Sequence, residues 1–215
     1  MNAIASELTD RQKDVLDTAL ALLVEAGDAF TMAQVARRAS CSKETLYKWF
    51  GDRDGLLTAM VRWQASRVRF AATGRENLDA ASLAASLEEF AANWLKVLTG
   101  KTSIALNRVA VASARAEERT LGDIVLENGP FAMAKRLKPL LELGREKGLL
   151  VFEDADTAFR SFFGLVIGDV QIRLLLGDKP NHTDDEIRRD ARRATEFFFA
   201  LYGADQGPGA NKAPA

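Results

Sequence analysis

Residues Lys43 to Phe50 can form a helix of barely two turns, and a helix that short cannot stand alone in water. Something must pack behind it, and the side left in front needs a purpose. At about 100° per residue, Leu46 and Phe50 share one face, a turn apart. Glu44, Thr45 and Lys48 point roughly the other way, with Tyr47 and Trp49 flanking. Two apolar residues therefore anchor a face that is polar, basic and aromatic.

The partners for those anchors lie just upstream. Thr9-Asp10-Arg11-Gln12 has capping-box spacing. After it, Val15, Leu16, Ala19, Leu22, Leu23 and Ala26 form a helical stripe that Gly27 ends. Thr31-Met32-Ala33-Gln34 is a second capping box and opens a helix that buries Val35, Ala36 and Ala39. Ser42 caps the short helix, and Asp52 caps a fourth that runs through Leu56, Leu57, Met60 and Val61 to about Ala72.

The remainder is also helical, with no period-2 alternation. Leu83, Leu87, Phe90, Ala91, Trp94 and Leu98 give one stripe, and Lys101 to Glu117 another helix. Arg119 to Lys147 reads as one helix or two, because Gly129-Pro130 should kink it. Further helices are expected over Ala155 to Leu176 and Asp184 to Tyr202. The fold class is all-α with about nine helices. Thr73-Gly74 marks a boundary, giving an N-terminal unit over 1–52 with a connecting helix over 53–73. A second helical domain spans 74–203, and a Gly-, Pro- and Ala-rich tail over 204–215 is expected to be disordered.

Composition narrows the function. The 29 Lys and Arg nearly balance the 30 Asp and Glu, so no global positive charge draws the chain to nucleic acid. The balance is local: Thr9 to Ala36 holds five acidic and two basic residues, Arg37 to Arg69 eight basic and three acidic. One cysteine, Cys41, and one histidine, His182, leave no disulfide, no cysteine metal cluster and little room for histidine-based catalysis; no metal or cofactor is expected. The acidic pairs Glu88-Glu89, Glu117-Glu118 and Asp184-Asp185 are adjacent, so they diverge around a helix and form no facing pair. The apolar run Phe162 to Leu176 is broken by Asp169 and Arg173, and no N-terminal leader is visible; a cytoplasmic protein with no membrane partner is expected.

Two helices joined by Ser40-Cys41-Ser42, the second with a bare basic face, make a helix-turn-helix. Its second helix would enter a major groove of double-stranded DNA. Lys43 can read guanine O6 or N7, Glu44 can accept from cytosine N4, and Thr45 can touch a thymine methyl or a phosphate. Tyr47 and Lys48 can hold backbone oxygens, and the helix N-termini at Thr31 and Asp52-Arg53 offer N–H groups to phosphate. A helical protein-interaction module and an all-α enzyme without a recognisable motif are the alternatives.

The stretch Thr31 to Leu57, TMAQVARRASCSKETLYKWFGDRDGLL, resembles the signature of TetR-family transcriptional regulators. Thr31, Val35, Ala36, Ala39, Ser42, Thr45, Leu46, Tyr47, Phe50, Arg53 and Leu56 match it, with Gly27 and Phe30 placed as in the family. Ser40 stands where the turn glycine is usual, Cys41 for a valine, and Trp49 for the common Tyr or His. The resemblance implies DNA contacts at Thr31, Lys43, Glu44, Thr45, Tyr47, Lys48, Trp49 and Arg53, and a C-terminal domain that binds a small-molecule effector and forms a homodimer. The stretches LENGPFAMAKRLKPLLELGREKGLL and DADTAFRSFFGLVIGD are loosely similar to one common C-terminal subtype.

The residues give their own argument for a dimer. One helical stripe cannot bury Phe197, Phe198 and Phe199 together, and Gly164 and Gly168 would let a partner helix approach. The expected interface comprises Phe159, Phe163, Gly164, Val166, Gly168, Val170, Ala194, Phe198 and Leu201. An unusually apolar monomer core is the other reading. A dimer with two reading helices implies a palindromic operator, and an effector that shifts their spacing implies repression relieved by a ligand. Trp63, Trp94, Asn107, Arg108, Phe131 and Phe163 are the pocket candidates by residue type, for a hydrophobic or amphipathic molecule.

Overall fold

A computed structural model of the chain describes residues 8–69, 78–114, 121–178 and 183–204. Its helices are α1 (Asp10–Ala26), α2 (Met32–Arg38), α3 (Lys43–Phe50), α4 (Arg53–Ser66), α5 (Ala80–Leu98), α6 (Lys101–Ser113), α7 (Leu121–Asn128), α8 (Pro130–Glu146), α9 (Ala155–Ile167), α10 (Val170–Leu175) and α11 (Asp184–Tyr202). No strand forms among the described residues; one isolated antiparallel bridge joins Leu150 and Gly203. The all-α reading therefore holds, with more helices than the nine expected. The stretch read as one helix or two forms two, broken at Gly129-Pro130, and a further break falls inside Ala155–Leu176; both have local causes. Pro130 opens α8 as its first residue, where its missing N–H costs nothing. Gly168, at φ 49°, caps α9 with its N–H on the Gly164 carbonyl at 2.9 Å, which splits Ala155–Leu176 in two.

The described residues form two compact units. The first takes in residues 8–68, 97–133 and 172–178. Both expected capping boxes are present: Thr9 Oγ1 accepts from the Gln12 N–H and Thr31 Oγ1 from the Gln34 N–H, each at 3.2 Å. Behind them one apolar core joins Leu16, Leu20 and Leu23 of α1 and Val35 of α2. The same core takes Leu46 of α3, Leu56 and Met60 of α4, Leu106 of α6 and Ile124 of α7. Leu20 joins the α1 stripe, whereas Ala26 is exposed because the chain turns away into a 3-10 turn over Gly27–Ala29. The fourth helix ends at Ser66, before the expected limit at Ala72; the Thr73-Gly74 boundary lies outside the described residues.

The second unit comprises residues 69–96, 134–171 and 183–204. Here α9 packs on α11, with Phe162 and Phe198 edge to face at 5.2 Å. Trp94 of α5 lies against Phe90 (5.5 Å), Phe159 (6.1 Å) and Phe163 (5.1 Å). A third capping box, Thr183 with Glu186, starts α11. The unit is closed by the chain after α8, where the Val151 N–H reaches the Tyr202 carbonyl at 2.8 Å and the Ala204 N–H the Leu149 carbonyl at 3.1 Å. The tail 205–215 and His182 lie outside the described residues.

The packing shows where the expected interface residues lie. Phe159, Val166, Ala194 and Phe198 are buried within the subunit's own core. At 6% exposure or less, these side chains leave little surface for a second copy to cover. Gly168 ends α9, so it shares no helix face with Gly164; both are exposed, and Val170 is half-buried. The outward apolar residues of α11 are Phe197, 53% exposed, and Leu201, 63% exposed.

Candidate nucleic-acid interface

Helix α3 is built as its sequence requires. Ser42 caps α3 by accepting the Thr45 N–H at 3.1 Å. Leu46 is 0% and Phe50 9% exposed, both within the first unit's core. That leaves Lys43, Glu44 and Lys48 exposed and Tyr47 52% exposed, with Thr45 at the margin. The Ser42 hydroxyl, then the backbone at Glu44 and then the Lys43 charge hold the Glu44 carboxyl below the usual range. It is therefore ionised at neutral pH and acts only as an acceptor, which suits a base amino group and opposes a phosphate. Trp49 is half-buried against the core, edge-on to Phe50 at 6.2 Å.

The turn before α3 closes α2 with a Schellman motif. The Cys41 N–H bonds the Ala36 carbonyl at 2.9 Å and the Ser40 N–H the Arg37 carbonyl at 3.3 Å. This geometry needs a left-handed residue, and Ser40 supplies it at φ 51° without the help of glycine. Cys41 sits half-buried against the core, as the valine it replaces would.

The flanking positions are engaged in holding the frame. Thr31 gives its own backbone N–H to Gln34 Oε1 at 2.7 Å, which closes the capping box. Arg53, at the first position of α4, lies over the Phe30 ring at 5.1 Å. Asp52 caps α4 through the Gly55 N–H at 2.8 Å. Arg38 forms a two-armed pair with Glu25, which ties α2 to α1; the hydrogen bond between them lowers the carboxyl and raises the guanidinium.

A capped two-helix frame that turns its anchors inward and a basic, aromatic side outward can dock in a groove. Among the described residues no group of three or more His, Cys, Asp or Glu side chains is arranged to hold a metal ion. Residues 15–60 match the model for bacterial regulatory proteins of the tetR family, and residues 85–204 match that for the AefR-like transcriptional repressor C-terminal domain. The chain belongs to the TetR family. It is a transcriptional regulator and not an enzyme.

The crystal structure of a TetR transcriptional regulator from Agrobacterium tumefaciens is 46% identical, covers 91% of this chain and 96% of its own, and superposes with a TM-score of 0.78. A flavonoid-responsive regulator, FrrA, is 26% identical over 90% of this chain and 97% of its own, with a TM-score of 0.64. An uncharacterized HTH-type transcriptional regulator of Bacillus subtilis strain 168, YdeS, is 28% identical over 79% of this chain and 81% of its own. No helix among the described residues is long and apolar enough to cross a membrane.

The pocket candidates of this TetR-family chain meet different fates. The Trp63 indole N–H bonds Asp17 at 2.7 Å, and Arg67 pairs with the same carboxylate while lying over the Trp63 ring. Arg108 finds its partners in backbone, the Leu174 and Leu175 carbonyls at 2.8 and 3.3 Å, where its charge faces the C-terminal end of α10. Asn107 donates to the Ser103 carbonyl at 2.8 Å. Phe131 is exposed, and Trp94 and Phe163 pack against each other at a tilt of 48° in the second unit. One group escaped the sequence reading. Gln64 is only 7% exposed in the first unit's α4, and its Oε1 has no hydrogen-bond partner among the described residues. Nothing local in the Val61 to Ala65 pattern marks that burial.

Proposed function

We propose that this regulator acts as a homodimer that binds a palindromic operator, represses by occlusion and is released by a small, mostly apolar effector. The observation that carries the DNA reading is α3, anchored by Leu46 and Phe50 with Lys43, Glu44, Tyr47 and Lys48 bare. Lys43 and Glu44 face base edges, and Tyr47 and Lys48 grip phosphate on either wall of the groove. Two such helices one turn of DNA apart, at about 34–36 Å, would read the two half-sites. The exposed Phe197 and Leu201 of α11, with Gly164 on α9, support a self-complementary apolar contact in the second unit. The description of the C-terminal family as repressors supports the direction of control.

For the effector, the orphan acceptor of Gln64 calls for an O–H or N–H on the ligand. A relative named for its response to flavonoids fits a hydroxylated aromatic compound as that class. The effector must bind one spacing of the two heads better than the other, since a ligand with equal affinity for both shifts nothing.

The test is a salt titration of binding to a duplex that the wild-type protein selects from a randomised pool. Affinity should fall steeply with salt, and Tyr47→Ala combined with Lys48→Ala should nearly abolish binding with the fold intact. A double variant that binds as the parent does would overturn the assignment of α3.

A further inference from the structure

The α2–α3 turn depends on a residue of another helix. After the two Schellman bonds are made, the carbonyls of Ala39 and Ser40 are left over, and both accept from Arg11 of α1. Arg11 Nη2 donates to the Ala39 carbonyl and, at 3.1 Å, to the Ser40 carbonyl. These two carbonyls bracket the residue held left-handed at φ 51°. A serine has no intrinsic preference for that conformation, so the surroundings must keep it there. The guanidinium does so with a charge-assisted fork, placed where the C-terminal end of α2 is negative.

We propose that Arg11 is a positioning residue for DNA reading: by clamping the turn through the Ala39 and Ser40 carbonyls, it sets the angle at which α3 is presented. Arg11 acts through the turn and makes no contact with the duplex. The inference rests on α3 being the groove-reading helix, and it also gives the Arg11–Ser40 pair a defined logic. A turn residue that strains in the left-handed region needs the clamp, and a glycine at the same place does not. Leu46 and Phe50 fix which face of α3 points inward, but a two-turn helix on two anchors can still swivel about them. The clamp removes that freedom from the N-terminal end, next to Lys43 and Glu44.

The experiment compares the full-length wild type, Arg11→Met, Ser40→Gly and the double variant on one duplex selected by the wild type. Binding is measured across a salt series, with far-UV circular dichroism as the control for folding. Arg11→Met should weaken binding about tenfold or more, with the slope of log affinity against log salt unchanged. Adding Ser40→Gly should restore most of the lost affinity. A slope reduced by about 0.9 per subunit would show that Arg11 neutralises a phosphate directly and would overturn the proposal. So would wild-type affinity in Arg11→Met, or a loss that Ser40→Gly leaves in place. If Arg11→Met is neutral while the Tyr47 and Lys48 double variant fails to bind, the clamp is refuted and the reading of α3 survives.

Discussion

Replacing Ser40 with glycine should stabilise this protein, although the change deletes a side chain. The Ser40 backbone lies at φ 51°, where an L-residue with a Cβ is disfavoured by about 1–2 kcal/mol. Glycine removes that strain. It also widens the unfolded ensemble, which offsets the gain by about 0.4–1 kcal/mol. The net expectation is a gain of about 0.5–1 kcal/mol, equal to a rise in Tm of about 1–4 °C for a chain of this size. The two amides that close the motif give a local readout. The Cys41 N–H, bonded to the Ala36 carbonyl at 2.9 Å, opens only when the turn opens. Its hydrogen exchange should slow about two- to fivefold, since a gain of 1.4 kcal/mol corresponds to tenfold. Calorimetry and amide exchange measured on the same sample check both numbers. A Tm that falls, with Cys41 exchanging no more slowly, would mean the left-handed serine carries no strain, and the reasoning would be wrong.

Three further outcomes are expected. Phe197→Glu with Leu201→Glu should leave the far-UV spectrum unchanged and convert the proposed dimer to a monomer in sedimentation, because both side chains are more than half exposed on α11. Gln64→Leu should raise stability by about 1–3 kcal/mol, since the cost of an unpaired buried acceptor disappears, and should abolish the thermal shift given by a hydroxylated aromatic effector; an unchanged shift would remove Gln64 from the site. Asp154 caps α9, and the Thr157 hydroxyl and N–H, then the Asp156 N–H, hold its carboxyl below the usual range. A depressed carboxyl stabilises the fold above the unfolded value of about pH 3.9 and loses that contribution as pH falls through the lower folded value. Asp154→Asn should therefore flatten the acid limb of the stability curve below about pH 4, measured by urea titration.

What could be read along the chain was what depends on near neighbours. The capping boxes at Thr9 and Thr31 join residues three apart, and the inward pair Leu46 and Phe50 is one turn apart, so pattern alone reveals them. The TetR resemblance rests on the same short-range spacings. Long-range pairings left no trace. Arg108 is 66 residues from the Leu174 carbonyl it caps, and Arg11 is 28 from the Ala39 carbonyl it holds. The second unit was harder for another reason. On α11 the helical spacing of Ile187, Ala191, Ala194 and Phe198 marks the inward face, and all four are buried; the same spacing runs on to Leu201, which is exposed, so the pattern could not say where that face ends. Nor could it choose between Gly164 inside α9 and Gly168 as its stop, because both glycines permit either role.

The first unit's apolar core does not end with the reading frame. Leu106 and Ala110 of α6 and Leu121 and Ile124 of α7 share it with Leu16, Leu46 and Met60. Grafting this head onto a foreign sensor by cutting after α4 would strip away those four side chains and leave a wound of bare leucine and methionine. A chimera that keeps its specificity must carry α6 and α7 with it. In a head built this way, a substitution that loosens α7 is inherited by the DNA-reading surface without touching one of its residues.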